Sequence, residues 1–142
     1  MKSAYKRMQH GFTLVEVMIV VVIVAILVSV AIPSYQDHII SGKLSEGVAT
    51  LANGRIRMEQ HFQDNRTYAN FTCMPATSYF TYDCNTPAAT TTTYTLTATG
   101  INSVAGFSYT IDQNNTKMTT AMAPGWGTAP ANCWITKRAK TC

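Results

Sequence analysis

The hydrophobic and polar positions divide this chain into two very different parts. An almost unbroken apolar run extends from Phe12 to Ile32 and contains a single charge, Glu16. As a helix, a run of this length measures ~32 Å, about the hydrocarbon thickness of a bilayer. The residues that follow are mostly polar and rich in Thr, Asn, Ser and Tyr. The pattern predicts a membrane-spanning helix over residues 12–33, joined to a polar head.

A second helical pattern begins where the apolar run ends. Over residues 34–66, apolar side chains recur at three-, four- and seven-residue steps, which is typical of an amphipathic helix. Gly47 and Gly54 border this stripe, where small residues would let a sheet approach closely. Pro33 separates the two patterns and is expected to bend or locally open the helix, because it lacks an N–H donor. The apolar positions of the stripe are Ile40, Leu44, Val48, Leu51, Met58 and Phe62.

Beyond Tyr68 the hydrophobic period changes from that of a helix to that of a strand. Residues 93–99, TYTLTAT, alternate strictly between apolar and polar, and residues 107–111, FSYTI, repeat the alternation. A weaker version follows at residues 116–122. These segments predict an antiparallel meander with one face on the amphipathic helix and one face in water. The predicted fold class is α+β, a long N-terminal α-helix packed on a small antiparallel sheet, with residues 67–142 as the head.

Basic residues precede the apolar run. Three of them near the start supply much of the formal charge of +4, since without them 8 Lys and Arg face 7 Asp and Glu. Positive charge ahead of an apolar segment holds that end in the cytoplasm, so residues after Ile32 are expected to be exported. An ordinary secretory signal is cut after its apolar core. Here no such site follows Ile32, whereas Gly11 stands directly before the run. We therefore expect residues 1–11 to be a removed leader and the apolar segment to be kept.

The residues around this glycine, GFTLVEVMIVVVIVAIL, resemble the type IV prepilin signature. The resemblance implies that a prepilin peptidase cuts between Gly11 and Phe12 and that Phe12 becomes N-methylphenylalanine. It implies storage in the bacterial inner membrane, with a single pass and a periplasmic head, before assembly machinery adds the subunit to other pilins in an extracellular filament.

Glu16 is the residue whose position needs a chemical reason. A carboxylate inside a bilayer costs several kcal/mol unless it is paired or protonated, so such residues are functional candidates. The resemblance implies that Glu16 neutralises the Phe12 amine of a neighbouring subunit and so sets the axial register of the filament. The alternative is a tolerated carboxylate near the membrane boundary.

Four cysteines lie outside the apolar segment. An even number in an exported head suggests two disulfides, for which three connectivities exist. We favour Cys73–Cys84 and Cys133–Cys142, because each closes a short loop that contributes on the order of 2–3 kcal/mol. A zinc site is the competing hypothesis, but the sequence has no CxxC pair and no histidine near these cysteines. We expect no metal and no other cofactor.

Three further segments narrow the resemblance. RIRMEQHFQDNRTYAN, YFTYDC and APGWGTAPANCWITKRAKTC resemble the PilE-like minor pilins, which implies a sparse subunit of a pilus used for adhesion, twitching motility or DNA uptake. One alternative is a type II secretion pseudopilin. Against it, the main pseudopilin has a calcium-binding loop where this chain has Cys133–Cys142, and no acidic cluster for calcium is visible in this C-terminal region.

The other alternative is a DNA-uptake receptor pilin that binds DNA with its terminal loop. The loop carries Trp134, Lys137, Arg138 and Lys140, and a basic loop with an aromatic side chain grips phosphates while stacking on bases. The less specialised hypothesis, which we favour, is a solvated loop with its tryptophan against the head. Catalysis finds little support, since no nucleophile motif or phosphate-binding loop is present. The carboxylates Asp37, Glu46, Glu59 and Asp64 are expected on a solvated or intersubunit helix face.

Overall fold

A computed structural model describes residues 11–142, so the predicted leader lies, apart from Gly11, outside the described residues. The elements are one long helix, α1 (Leu14–Asn65), a short 3-10 helix (Asn102–Val104) and four strands. The strands are β1 (Phe80–Asp83), β2 (Thr95–Gly100), β3 (Ser108–Asp112) and β4 (Lys117–Ala121). The chain divides after Tyr35 into two compact units, and each is described by itself.

The first unit contains the apolar part of α1. Thr13 caps the helix, because its Oγ1 accepts a hydrogen bond from the Glu16 N–H at 3.2 Å. The apolar side chains that follow are exposed, with Leu14 76% and Val30 72% accessible. Within residues 11–142, α1 is the one helix long and apolar enough to cross a membrane.

The helix continues without interruption through Pro33. The expected local opening is therefore absent, and that part of the prediction was wrong, whereas a bend at Pro33 stays a prediction. Proline removes a single donor, the one that would bond to the carbonyl of Ser29 four residues earlier. The helical bonds on either side are sufficient to keep the segment α-helical.

In the second unit, α1 presents one narrow face to the sheet. The buried positions, Leu44, Gly47, Leu51, Gly54 and Met58, follow three- and four-residue steps. A Cβ on Gly47 would lie 2.6 Å from the Phe80 ring, and one on Gly54 would lie 2.5 Å from Met74 Cε. Both contacts are closer than real Cβ atoms allow. Phe80 belongs to β1, and a Cβ on Gly54 would also lie 3.1 Å from Leu96 Cδ1 in β2, so the predicted close approach of the sheet at these two glycines is confirmed.

The four strands form an antiparallel meander in the order β1-β2-β3-β4. The predicted α+β fold is confirmed, and so is the alternation of β2 and β3. Leu96 and Ala98 in β2 are fully buried, as are Tyr109 and, almost completely, Ile111 in β3. Strand β1 was not predicted, because four residues carry too little alternation for a periodicity argument.

Two disulfides close loops in this unit. Cys73 is bonded to Cys84 at the end of β1, and Cys133 is bonded to Cys142. The first joins the segment after α1 to the sheet, and Cys84 lies in the core with 1% of its surface exposed. A small head gains from such crosslinks, because its core buries a smaller share of the chain than that of a larger domain.

Glu59 was predicted on a solvated or intersubunit helix face, but it is half-buried and bonded to two tyrosines of its own head, so that prediction was wrong. The hydroxyls of Tyr68 and Tyr94 each donate a hydrogen bond to its carboxylate at 3.1 Å. Burial raises the pKa of both phenols, and the negative charge of Glu59 raises it further. The pair of bonds fastens the chain after α1 and the start of β2 to the helix.

Candidate assembly and DNA-contact sites

The start of α1 brings the predicted processing and assembly residues together. Gly11 and Phe12 precede the helix and are exposed, with Phe12 80% accessible. Glu16 lies in the first helical turn with its side chain exposed. The Thr13–Glu16 spacing is that of a capping box, and a carboxylate here also meets the positive end of the helix dipole. The position therefore suits a negative charge even in an isolated subunit.

Trp134 is packed against the head. Its Nε1–H donates to the Thr110 carbonyl at 2.9 Å, and the side chain is half-buried against the core. The ammonium of Lys117, from β4, lies 5.0 Å from the centre of the indole ring. This cation–π contact occupies one face of the ring. An incoming base would have to displace the lysine before it could stack on that face.

The guanidinium of Arg138 already has hydrogen-bond partners within the head. Its Nη1 lies 3.0 and 2.9 Å from the two carboxylate oxygens of Asp37, and its Nε donates to the Gly125 carbonyl at 3.0 Å. Asp37, expected on a solvated or intersubunit face, is instead the partner of a residue in the terminal loop. The pair is only partly covered, with 48% and 31% of the two side chains accessible, so it contributes about 1 kcal/mol at most.

Lys137 and Lys140 are exposed, like Arg138, but neither lysine side chain forms a hydrogen bond or ion pair with another of the residues that the structure describes. Lys140 lines an open depression of about 400 Å³, together with Gly127, Asn132 and the buried Ile135. Exposed ammonium groups on flexible stems are suited to phosphate oxygens. Trp134 and Arg138 thus have partners within the head, whereas the ammonium groups of Lys137 and Lys140 are open to solvent.

Sequence reasoning missed Lys117 as a neighbour of the terminal loop. The residue belongs to a strand that precedes the loop by more than a dozen positions, and β4 has a weak alternation. A lysine in such a strand carries no signal of where its ammonium will lie.

The fold and the helix start define the class. A long apolar helix directly follows the glycine of a prepilin-like start, and its second part packs on a four-stranded antiparallel meander. Residues 6–32 match the family described as the prokaryotic N-terminal methylation motif. These features are those of a type IV pilin, a structural subunit, as the sequence predicted.

The particular family follows from the head. Residues 33–108, more than half of the chain, match the family described as "Type IV minor pilin ComP, DNA uptake sequence receptor", and the chain belongs to that family. The predicted minor type of pilin is therefore confirmed. The comparisons do not favour the pseudopilin alternative. The matched range includes the amphipathic part of α1 and strands β1 and β2, and ends before the terminal loop.

Curated relatives agree on the class. The chain is 46% identical over 61 residues to the type IV major fimbrial protein FimA of Dichelobacter nodosus strain VCS1703A, a match that covers 43% of this chain and 38% of the relative. Another FimA from Dichelobacter nodosus is 48% identical over 59 residues, covering 42% of this chain and 37% of the relative. The chain thus matches less than two fifths of the length of these relatives.

Proposed function

We propose that this protein is a minor subunit of a type IV pilus and that it binds DNA for uptake. The observation that carries the proposal is the family match over residues 33–108, since that family is described as a DNA uptake sequence receptor. The exposed lysines of the head supply a matching chemistry, because DNA binding depends on neutralising phosphates. The pilus itself can also serve adhesion or twitching motility.

Processing comes first in this proposal. A prepilin peptidase cuts between Gly11 and Phe12, and Phe12 is then methylated on its new amine. The support is the match to an N-terminal methylation motif and the exposure of both residues ahead of the helix. Before assembly, the subunit crosses the inner membrane once, with its head in the periplasm, because its apolar segment has the length of a bilayer core.

Assembly then depends on Glu16. The methylated amine of Phe12 is a cation at the end of an apolar helix, and Glu16 is the one acidic residue in that run. In a filament core made of such helices, each charge lacks a water shell and needs a partner of opposite sign. Glu16 of one subunit pairs with the Phe12 amine of the next, and this pairing sets their axial register.

The DNA contact that we assign to the head is electrostatic. Lys137 and Lys140 contact backbone phosphates, while Trp134 and Arg138 hold the loop in place. The packing of Trp134 on the Thr110 carbonyl and the bonds of Arg138 to Asp37 support this division of roles. Phosphate contacts of this kind position the protein on DNA and carry no sequence information. We assign no catalytic role to the chain.

Charge replacement in the terminal loop tests this assignment. Lys137→Gln combined with Lys140→Gln removes two phosphate contacts from the processed full-length protein, held in detergent. The slope of log affinity against log salt should then fall in magnitude by about 2, with weaker binding to a mixed-sequence duplex. Fluorescence anisotropy at several salt concentrations measures both quantities.

Lys43 and Arg57 provide the matched control. Both are in α1, and Lys43 bonds to Ser103 at 2.9 Å while Arg57 lies over the Phe71 ring. Neutralising this pair removes the same charge elsewhere on the head. Equal losses in the two double variants would show that binding follows net charge alone and would refute the placement of the site on the terminal loop.

A further inference from the structure

One buried polar side chain joins the terminal loop to the sheet. Thr119, in β4, is the one polar residue among those described whose surface is fully buried in the core. Its hydroxyl donates to the Cys133 carbonyl at 2.6 Å and accepts from the Ile135 N–H at 3.0 Å. A hydroxyl buried without partners would cost about 1–3 kcal/mol, so these two bonds account for its presence.

The backbone of β4 pairs with Ala131 of the terminal segment but not with Cys133 or Ile135. Thr119 and Ala131 exchange two backbone hydrogen bonds at 2.9 and 3.0 Å, as in an antiparallel pair. That bridge is isolated and does not continue into a ladder. The side chain of Thr119 therefore bonds the next part of the segment, whose N–H and C=O groups have left the register of a strand.

A second hydroxyl completes the attachment. Tyr109 pairs with Thr119 across β3 and β4, and its hydroxyl donates to the Ile135 carbonyl at 2.8 Å. Both polar groups of the Ile135 backbone are thus bonded by buried side chains of the sheet. Residues 131–135 are held at the base of the loop that Cys133–Cys142 closes.

We infer that Thr119 is a positioning residue, whose hydroxyl fixes the base of the terminal loop and thereby the placement of Lys137 and Lys140. This inference rests on the proposed function for its DNA-binding part. Valine has nearly the same shape and would suit an apolar core better, so packing alone gives no reason for a threonine here. The hydroxyl instead keeps the loop preorganised, which lowers the entropy that binding has to overcome.

The test compares Thr119→Val, Thr119→Ser and Thr120→Val in the processed full-length protein in detergent. Serine keeps the hydroxyl, and Thr120 is an exposed neighbour on the same strand that serves as the control. Hydrogen exchange followed by mass spectrometry reports on the Ile135 amide. We expect about tenfold faster exchange in Thr119→Val, as for the loss of one hydrogen bond, and near-normal exchange in the other two.

Affinity for a mixed-sequence duplex, measured on the same samples, provides the second readout. We expect it to fall at least about threefold in Thr119→Val and to be restored in Thr119→Ser. Unchanged exchange in Thr119→Val would overturn the inference at its base. Faster exchange with unchanged affinity would overturn the link to the lysines.

The same experiment separates this inference from the proposed function. If the processed protein without any substitution fails to bind DNA, the proposed DNA receptor role is refuted. The DNA-binding part of the inference is then refuted with it. The exchange rates still decide whether Thr119 anchors the loop. A loss of affinity that serine does not restore points to general unfolding and also counts against a specific role of the hydroxyl.

Discussion

Replacing Glu16 by glutamine is the sharpest test of how the subunit enters a filament. In the isolated chain, the side chain of Glu16 is exposed in the first turn of α1. The backbone N–H of Glu16 donates a hydrogen bond to Thr13 Oγ1 at 3.2 Å. Glutamine is compatible with the same capping box, so the helix loses only the favourable interaction of the charge with its dipole, about 0.3–1 kcal/mol. Storage in the membrane becomes easier, because no carboxylate has to be hidden in the bilayer.

The cost of the substitution arises in the assembled state. There the Phe12 amine loses its partner in an apolar environment, where breaking a buried ion pair costs about 3–5 kcal/mol. Since about 1.4 kcal/mol corresponds to tenfold in an equilibrium, incorporation should fall at least about tenfold even if a minor subunit has few neighbours. The ratio of the variant in sheared pili to that in membranes, measured by quantitative immunoblotting, gives this number.

Two controls make the result decisive. Intact-mass measurement must show normal cleavage, and Thr13→Ala removes the cap but keeps the carboxylate, so it reports the effect of a weakened helix start. Unchanged incorporation of Glu16→Gln, with normal cleavage, would refute the pairing of Glu16 with the Phe12 amine. A loss of the same size in Thr13→Ala would indicate that capping, rather than charge, accounts for the defect.

Two other outcomes are expected. The assembled protein should begin at Phe12 with a methylated amine, and a mass that retains residues 1–11 in pili would contradict the assignment of the leader. The head should lose stability as the pH rises above about 10, because the folded state raises the pKa of Tyr94 and Tyr109 above that of an unfolded phenol and keeps their protons bound. Melting temperatures at several alkaline pH values measure this effect, and Tyr94→Phe should reduce the dependence; an equal slope in the variant would contradict the role of that phenol.

Much of the fold could be predicted because its signals are local. The helical stripe around Leu51 and the strict alternation at Leu96 and Ala98 are periodicities of neighbouring residues, and both survive in the structure. Strand β1 escaped prediction because it has only four residues. At Pro33 the local sequence was misleading. A proline usually interrupts a helix, but here the helical hydrogen bonds on either side keep the segment α-helical.

The roles of individual polar residues were harder to predict. Glu59 and Asp37 were both predicted on a solvated or intersubunit helix face. Glu59 instead accepts hydrogen bonds from two tyrosines, and Asp37 pairs with Arg138. Their partners lie on other elements, and no spacing rule connects them. The same holds for Thr119, which looks like an ordinary strand residue until the terminal segment is placed against it.

The sequence by itself determined the class of this protein, because a glycine before a long apolar run with one carboxylate is a contiguous pattern whose chemistry depends on near neighbours. Only the tertiary structure decided which cations of the head have a partner within the protein. Arg138 and Asp37 are 101 positions apart, and Lys117 meets Trp134 only because the terminal segment lies against β4. A charged side chain has no fixed role in a sequence, since its partner depends on where the whole chain brings a second charge or ring within about 6 Å.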